Sequence, residues 1–110
     1  MRIVSKLKTF VWTAHAKSKM RFYKLSESRV RHVLHSPKRI EEGVAPKTIA
    51  MMQPAGSHEI WVMLQDSPGQ RKIISAWRYP GVTKPRSVVT KNILRQEYQD
   101  YSGEKNNPEK

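Results

Sequence analysis

The sequence predicts an α+β fold, with two N-terminal helices followed by a four-stranded antiparallel sheet and room for a short C-terminal helix. Three observations lead there. Val30, Val33 and Leu34 recur at helical spacing behind a capping serine, Ser26. After Pro37 the apolar period changes from helical to alternating. The alternating segments are joined by short turn sequences, Pro54-Ala55-Gly56-Ser57 and Ser67-Pro68-Gly69-Gln70, so consecutive strands pair as a meander.

Taken in order, residues 1–12 fit a strand or a helix extension equally and are treated as an N-terminal extension. Residues 13–24 form the first helix, with Ala16, Met20 and Tyr23 on one stripe and Lys17, Lys19, Arg21 and Lys24 elsewhere. Leu25 and Val30 make a hydrophobic staple across the Ser26 cap, and Ser36-Pro37 ends the second helix because the proline ring disfavours helical geometry before it. Ile40, Glu42 and Val44 suggest a first strand, Thr48–Gln53 a second, His58–Gln65 a third and Arg71–Tyr79 a fourth. Pro68 and Gly69 stand in the order a type II turn needs. In the third strand Ile60, Val62 and Leu64 oppose Trp61 and Met63. In the fourth, Ile73, Ser75, Trp77 and Tyr79 oppose Lys72, Ile74, Ala76 and Arg78, so each strand keeps a mixed face open to solvent or ligand. Beyond Pro80-Gly81 the period fades until Thr90–Tyr101, where Ile93, Leu94 and Glu97 recur helically. The final stretch from Ser102 is polar enough to stay disordered. The division is an extension over 1–12, an α+β domain over 13–80 and a partly helical C-terminal segment over 81–110.

Composition bounds the function. The 110 residues carry a net charge of +12, and residues 1–96 hold 19 basic against five acidic side chains. A field of that sign attracts polyanions. Without cysteine there is neither a disulfide framework nor a thiolate metal site, which favours a reducing interior. The basic start is interrupted by Ser5, Lys6, Lys8 and Thr9, and no run of about 18 apolar residues follows. A cytoplasmic protein without membrane contact is expected.

The residues also allow one coherent chemistry. Metal-free RNA cleavage needs a base, an acid and cations on the phosphoryl oxygens. An imidazole's ordinary pKa lies close to working pH, which makes His15 the candidate base or acid, and Arg21 and Arg78 can grip a phosphate bidentately. Six helical positions put Arg21 about 240° around the axis from His15, so the two share a face only if the helix bends or ends. Lys17, Lys24, Lys72 and Tyr79 extend the cationic and aromatic surface, and Trp61 and Trp77 on neighbouring strands can stack bases, although a small domain needs at least one of them in its core. His58 and Glu59, opening the third strand, offer a second acid or base. His32 and His35 lie three apart without a nearby acid or thiol, so no metal site is expected, and His35 better serves the negative end of its helix. No glycine-rich phosphate loop or Ser-His-Asp order is present, and no cofactor is expected.

The string HAKSKMRFYKLSESRVRHVLHSP, with His15-Ala16, Met20-Arg21, Ser26-Glu27, Val30, Val33-Leu34 and Pro37, and the closing Ile73-Ile74-Ser75, resembles the family called domain of unknown function 4258. The likeness covers residues 13–80. That family is similar to the compact ribonuclease fold of barnase, the RelE and BrnT toxins and colicin nucleases. Phe22-Tyr23-Lys24 stands where the family pattern often has a second arginine followed by glycine. The resemblance implies a toxin-type, metal-independent endoribonuclease that meets RNA and an antitoxin. Alternatives are a noncatalytic nucleic-acid-binding module and a protein-interaction domain for an acidic partner. The acids gathered after Glu97 suit a linker, a partner-binding helix or a self-masking segment.

Overall fold

The computed structural model describes residues 8–105; expectations for residues 1–7 and 106–110, including the start of the extension and the end of the tail, lie outside the described residues. The chain runs β1 (Thr9–Trp12), α1 (Ala14–Tyr23), α2 (Glu27–His35), β2 (Arg39–Glu42), β3 (Thr48–Ala55), β4 (His58–Ser67), β5 (Gln70–Tyr79) and α3 (Val88–Lys105). The class is α+β as expected, but the sheet has five strands in the order β1-β5-β4-β3-β2. β2 to β5 form the antiparallel meander, while β1 lies parallel to β5, with Trp12 beside Ile73. The four-stranded, wholly antiparallel expectation missed this edge because β1 is only four residues long and its partner lies about sixty residues away. A parallel pair also needs a long crossover, here everything between β1 and β5.

The helix boundaries follow the caps. Thr13 Oγ1 accepts from the Ala16 amide (3.0 Å), and Ser26 Oγ accepts from the Arg29 amide (3.0 Å). Ser87 Oγ accepts from the Thr90 amide and starts α3 two residues before the expected Thr90. The helix then continues through Ser102 to Lys105, where sequence polarity suggested disorder. Its inner side explains the extension: Leu94, Glu97 and Tyr101 are buried, so tertiary packing outweighs weak local propensity. Gly69 has φ +75°, as the expected turn requires.

Two cores lie on the two faces of the sheet. Ala16, Met20 and Leu25, with Val30, Val33 and Leu34 of α2, pack on Met51, Ile60, Val62, Leu64, Ile73 and Ala76. On the other face Leu94 and Tyr101 of α3 pack with Ala50, Met52, Trp61, Met63, Ile74 and Trp77. β4 divides as expected. β5 does not, because Met63 pairs with Ser75 and Leu64 with Ile73, leaving Ile74 as an extra residue. This bulge sends Ile73 and Ala76 to one core and Ile74 and Trp77 to the other, and it breaks the simple alternation. Neither strand keeps an open mixed face.

The segment between β5 and α3 is tied across the sheet by buried polar groups. Glu59, 2% exposed, accepts from Trp61 Nε1 (3.0 Å), the Thr83 amide (3.1 Å) and Thr83 Oγ1 (2.8 Å). Arg39 donates to Thr83 O and Thr83 Oγ1 and to Glu41, which also accepts from the Arg86 amide. A buried carboxylate is tolerable only when bonded in this way.

At the other end of the sheet Asp66 accepts from Lys8 Nζ (2.9 Å) and Arg71 Nε (3.2 Å), clipping β1 to the β4–β5 turn. Partial burial alone would raise the Asp66 carboxyl, but the hydrogen bond from Lys8 and the charges of Arg71 and Lys8 outweigh it and hold the group below its ordinary value. A carboxyl with a depressed folded value stabilises the fold above its unfolded pKa and ceases to as pH falls through the folded one. Asp66→Asn is therefore expected to lose roughly 0.5 kcal/mol at neutral pH, the scale of a partly exposed ion pair, with the gap to wild type closing in acid. Denaturant melts at both pH values check this; a gap that persists in acid would contradict it.

Candidate nucleic-acid interface

α1 carries three stripes with different fates. Ala16 and Met20 face the core. His15, Lys19 and Tyr23 turn toward α3: His15 lies against Tyr101 with ring centroids 6.2 Å apart, and Lys19 Nζ binds Glu97 at 3.0 Å. Lys17, Arg21 and Lys24, spaced i, i+4 and i+7, remain exposed. These three cations line a groove of about 430 Å³ with Met20, Leu25 and the first residues at α2, Ser26 and Glu27. Among the described residues none of the three makes an ion pair.

The groove exists because α1 stops abruptly. Lys24 adopts the left-handed conformation (φ 57°, ψ 49°) and the Leu25 amide returns to Met20 O at 2.8 Å, closing a Schellman-type end. Glycine is the usual occupant of that position; a lysine there costs about 1 kcal/mol of backbone strain. Its cationic side chain is what a glycine would lack.

Arg78 is placed differently from expectation. Its Nε donates to Tyr23 O (2.8 Å), its Nη2 to Lys24 O (3.4 Å), and its Nη1 meets His58 Nε2 (2.9 Å). A guanidinium only donates, so His58 Nε2 accepts and the ring carries its proton on Nδ1. Arg78 thus closes the C-terminal carbonyls of α1, at the negative end of the helix dipole. Tyr23, Ser57, His58, Arg78 and Pro80 line a second cavity of about 600 Å³.

His15, Arg21 and Arg78 are therefore not assembled into one site. His15 is buried toward α3, Arg21 faces solvent on another side of the same helix, and Arg78 is engaged by backbone at the helix end. The uninterrupted, ten-residue α1 keeps the 240° separation that its spacing implies. Trp61 and Trp77, 1% and 2% exposed, stack on each other at 5.9 Å with planes 2° apart beneath α3, so neither offers a face to a base. Lys72 and Tyr79 are half-buried on the same strand, Tyr79 packing against the α3 core. Of the expected RNA contacts, Lys17 and Lys24 join Arg21, while Trp61, Trp77 and Tyr79 belong to the opposite core.

The sequence reading missed the role of Gln53. Its Oε1 accepts from Arg29 Nη1 (2.6 Å) and contacts His32 Nδ1 (3.1 Å), while its Nε2 donates to His32 O and Ser36 O. A glutamine at an inward strand position was the available signal. These bonds hold α2 on β3, and among the described residues no cluster of three metal-ligating side chains is found. No described helix is long and apolar enough to cross a membrane. Comparison with protein-family models, curated proteins and solved structures gives no match.

If Arg78 serves the helix end, Arg78→Lys should lower stability by about 1–2 kcal/mol, because a single ammonium cannot span the two carbonyls and His58. RNA affinity should change less than threefold. Denaturation and binding titrations on the same variant separate this from a direct phosphate contact, for which affinity would fall sharply with little loss of stability.

Proposed function

We propose that this chain is a small RNA-binding domain that holds RNA phosphates on the Lys17–Arg21–Lys24 stripe of α1. The observation that carries the reading is three exposed cations on one helical stripe, lining one groove, without a carboxylate partner among the described residues. The strongly positive net charge favours the same class of ligand. The resemblance of residues 13–80 to domain of unknown function 4258, and through it to ribonuclease toxins, supports RNA as the polyanion.

A catalytic centre from His15, Arg21 and Arg78 is not part of this reading, since the three lie apart. A metal-independent ribonuclease is kept as a second reading on a different observation: the imidazole of His58 meets the guanidinium of Arg78 in a cavity that also holds Tyr23. In that version His58 exchanges the proton and Arg78 stabilises phosphoryl charge. An acidic antitoxin-like protein would compete with RNA for the α1 stripe.

Binding of a labelled single-stranded RNA, followed across a salt series, tests the main reading. Replacing Lys17, Arg21 and Lys24 together by alanine should weaken binding by at least tenfold and flatten the salt dependence by about two units of slope, as three phosphate contacts are lost. Unchanged affinity and slope would remove the stripe from the interface. The second reading stands only if wild type cleaves RNA in the presence of chelator and His58→Ala does not.

A further inference from the structure

A second cationic groove lies between β1 and α2, away from the α1 stripe. Its volume is about 300 Å³, and Phe10, Arg31, Leu34, His35 and Arg71 line it. Phe10 and Trp12 are half-buried neighbours on β1, with ring centroids 5.9 Å apart. The Arg31 guanidinium lies 4.5 Å from the Phe10 centroid and 5.5 Å from that of Trp12.

The choice of partner by Arg31 is informative. Glu27 stands four positions earlier on α2, the spacing at which acid–base pairs form on a helix. No Glu27–Arg31 ion pair is formed among the described residues; the guanidinium lies on the aromatic pair instead. Arg71, which lines the groove, also donates through Nε to Asp66, a carboxylate that Lys8 holds as well. The groove therefore has an exposed guanidinium plane supported by two aromatic rings, with a second guanidinium and no carboxylate in its lining.

We propose that this groove is a subsite for one unpaired RNA base, stacked on the outer face of Arg31, with the adjoining phosphate held by Arg71 and His35. Guanidinium planes stack on bases as aromatic rings do, and an aromatic pair behind the plane fixes its orientation in advance. A duplex hides its base faces, so the site selects single strands. Glu27 borders the first groove and Arg31 the second, one turn apart on the same face of α2, about 6 Å along the axis. One strand can thus run from the α1 stripe to this subsite. The inference rests on the RNA-binding reading and adds the form of RNA recognised.

The experiment uses the full chain and three probes: a short oligoadenylate, an abasic oligomer with the same number of phosphates, and a duplex of equal length. Tryptophan emission is the direct readout, because Trp12 is the one tryptophan of three that is partly exposed. Oligoadenylate should quench it and bind about tenfold more tightly than the abasic oligomer, the scale of one stacked base. Arg31→Lys should remove that tenfold advantage while leaving the salt slope unchanged, since the charge is kept. Equal binding and quenching by the abasic oligomer, or an Arg31→Lys variant that binds oligoadenylate as wild type does, would overturn the subsite. If the subsite alone is wrong, oligoadenylate still binds and the triple alanine variant still loses it. If no probe binds at low salt, the RNA-binding reading falls as well.

Discussion

The arrangement depends on how the chain covers the open edge of β5. β1 pairs with only the first part of that strand, Thr9 to Trp12 beside Gln70 to Ile73. At the Ile74 bulge Thr13 takes over: its amide and its hydroxyl both donate to Ile73 O, and the hydroxyl then caps α1 by accepting from the Ala16 amide. One threonine ends the strand pairing, bonds the Ile73 carbonyl and starts the helix. α1 therefore lies along the remaining edge of β5, and at its far end Arg78 of β5 bonds the last helical carbonyls. With both ends pinned to the same strand, the rotation of α1 about its axis is fixed. That rotation decides which of its basic residues are neutralised by α3 and which face solvent.

Three of the acids behave in the opposite way. Glu41, Glu59 and Glu97 are all buried and bonded. Glu97 receives Ser75 Oγ at 2.7 Å as well as Lys19, so this first member of the late acidic group is a strut between α3 and the sheet. Burial of carboxylates demands bonded partners, and the partners here are few cations and many neutral donors. Lys17, Arg21, Lys24 and Arg31, by contrast, are exposed and outside any ion pair among the described residues.

Local signals in the sequence located most of the elements. Ser26, Pro37 and Gly69 are residues whose own backbone chemistry fixes a boundary, and they do so here at the expected places. What depended on distant partners was hidden. β1 needs β5, the bulge at Ile74 shows only in the register of β4 against β5, and the length of α3 needs the core around Trp61 and Trp77. For the site, helical spacing correctly separated His15 from Arg21 but left Lys17, Lys19, Arg21 and Lys24 unsorted, since only the contact with Glu97 of α3 draws Lys19 away from the other three. Nothing in the pattern of β5 could reveal that Arg78 would be taken by the end of α1, since that contact joins residues more than fifty positions apart. At least one of Trp61 and Trp77 was expected in the core; both lie there, because a face that alternation leaves open in one strand is closed by α3.

Amide and indole NMR shifts during titration with a single-stranded RNA test the account most directly, since they report both faces of the sheet at once. Shifts concentrated at Lys17, Arg21, Lys24, Ser26 and Arg31 are expected, with the Trp61 and Trp77 indoles unmoved beneath α3. Shifts centred on Lys72, Tyr79 and the two buried indoles, with the α1 stripe silent, would contradict it.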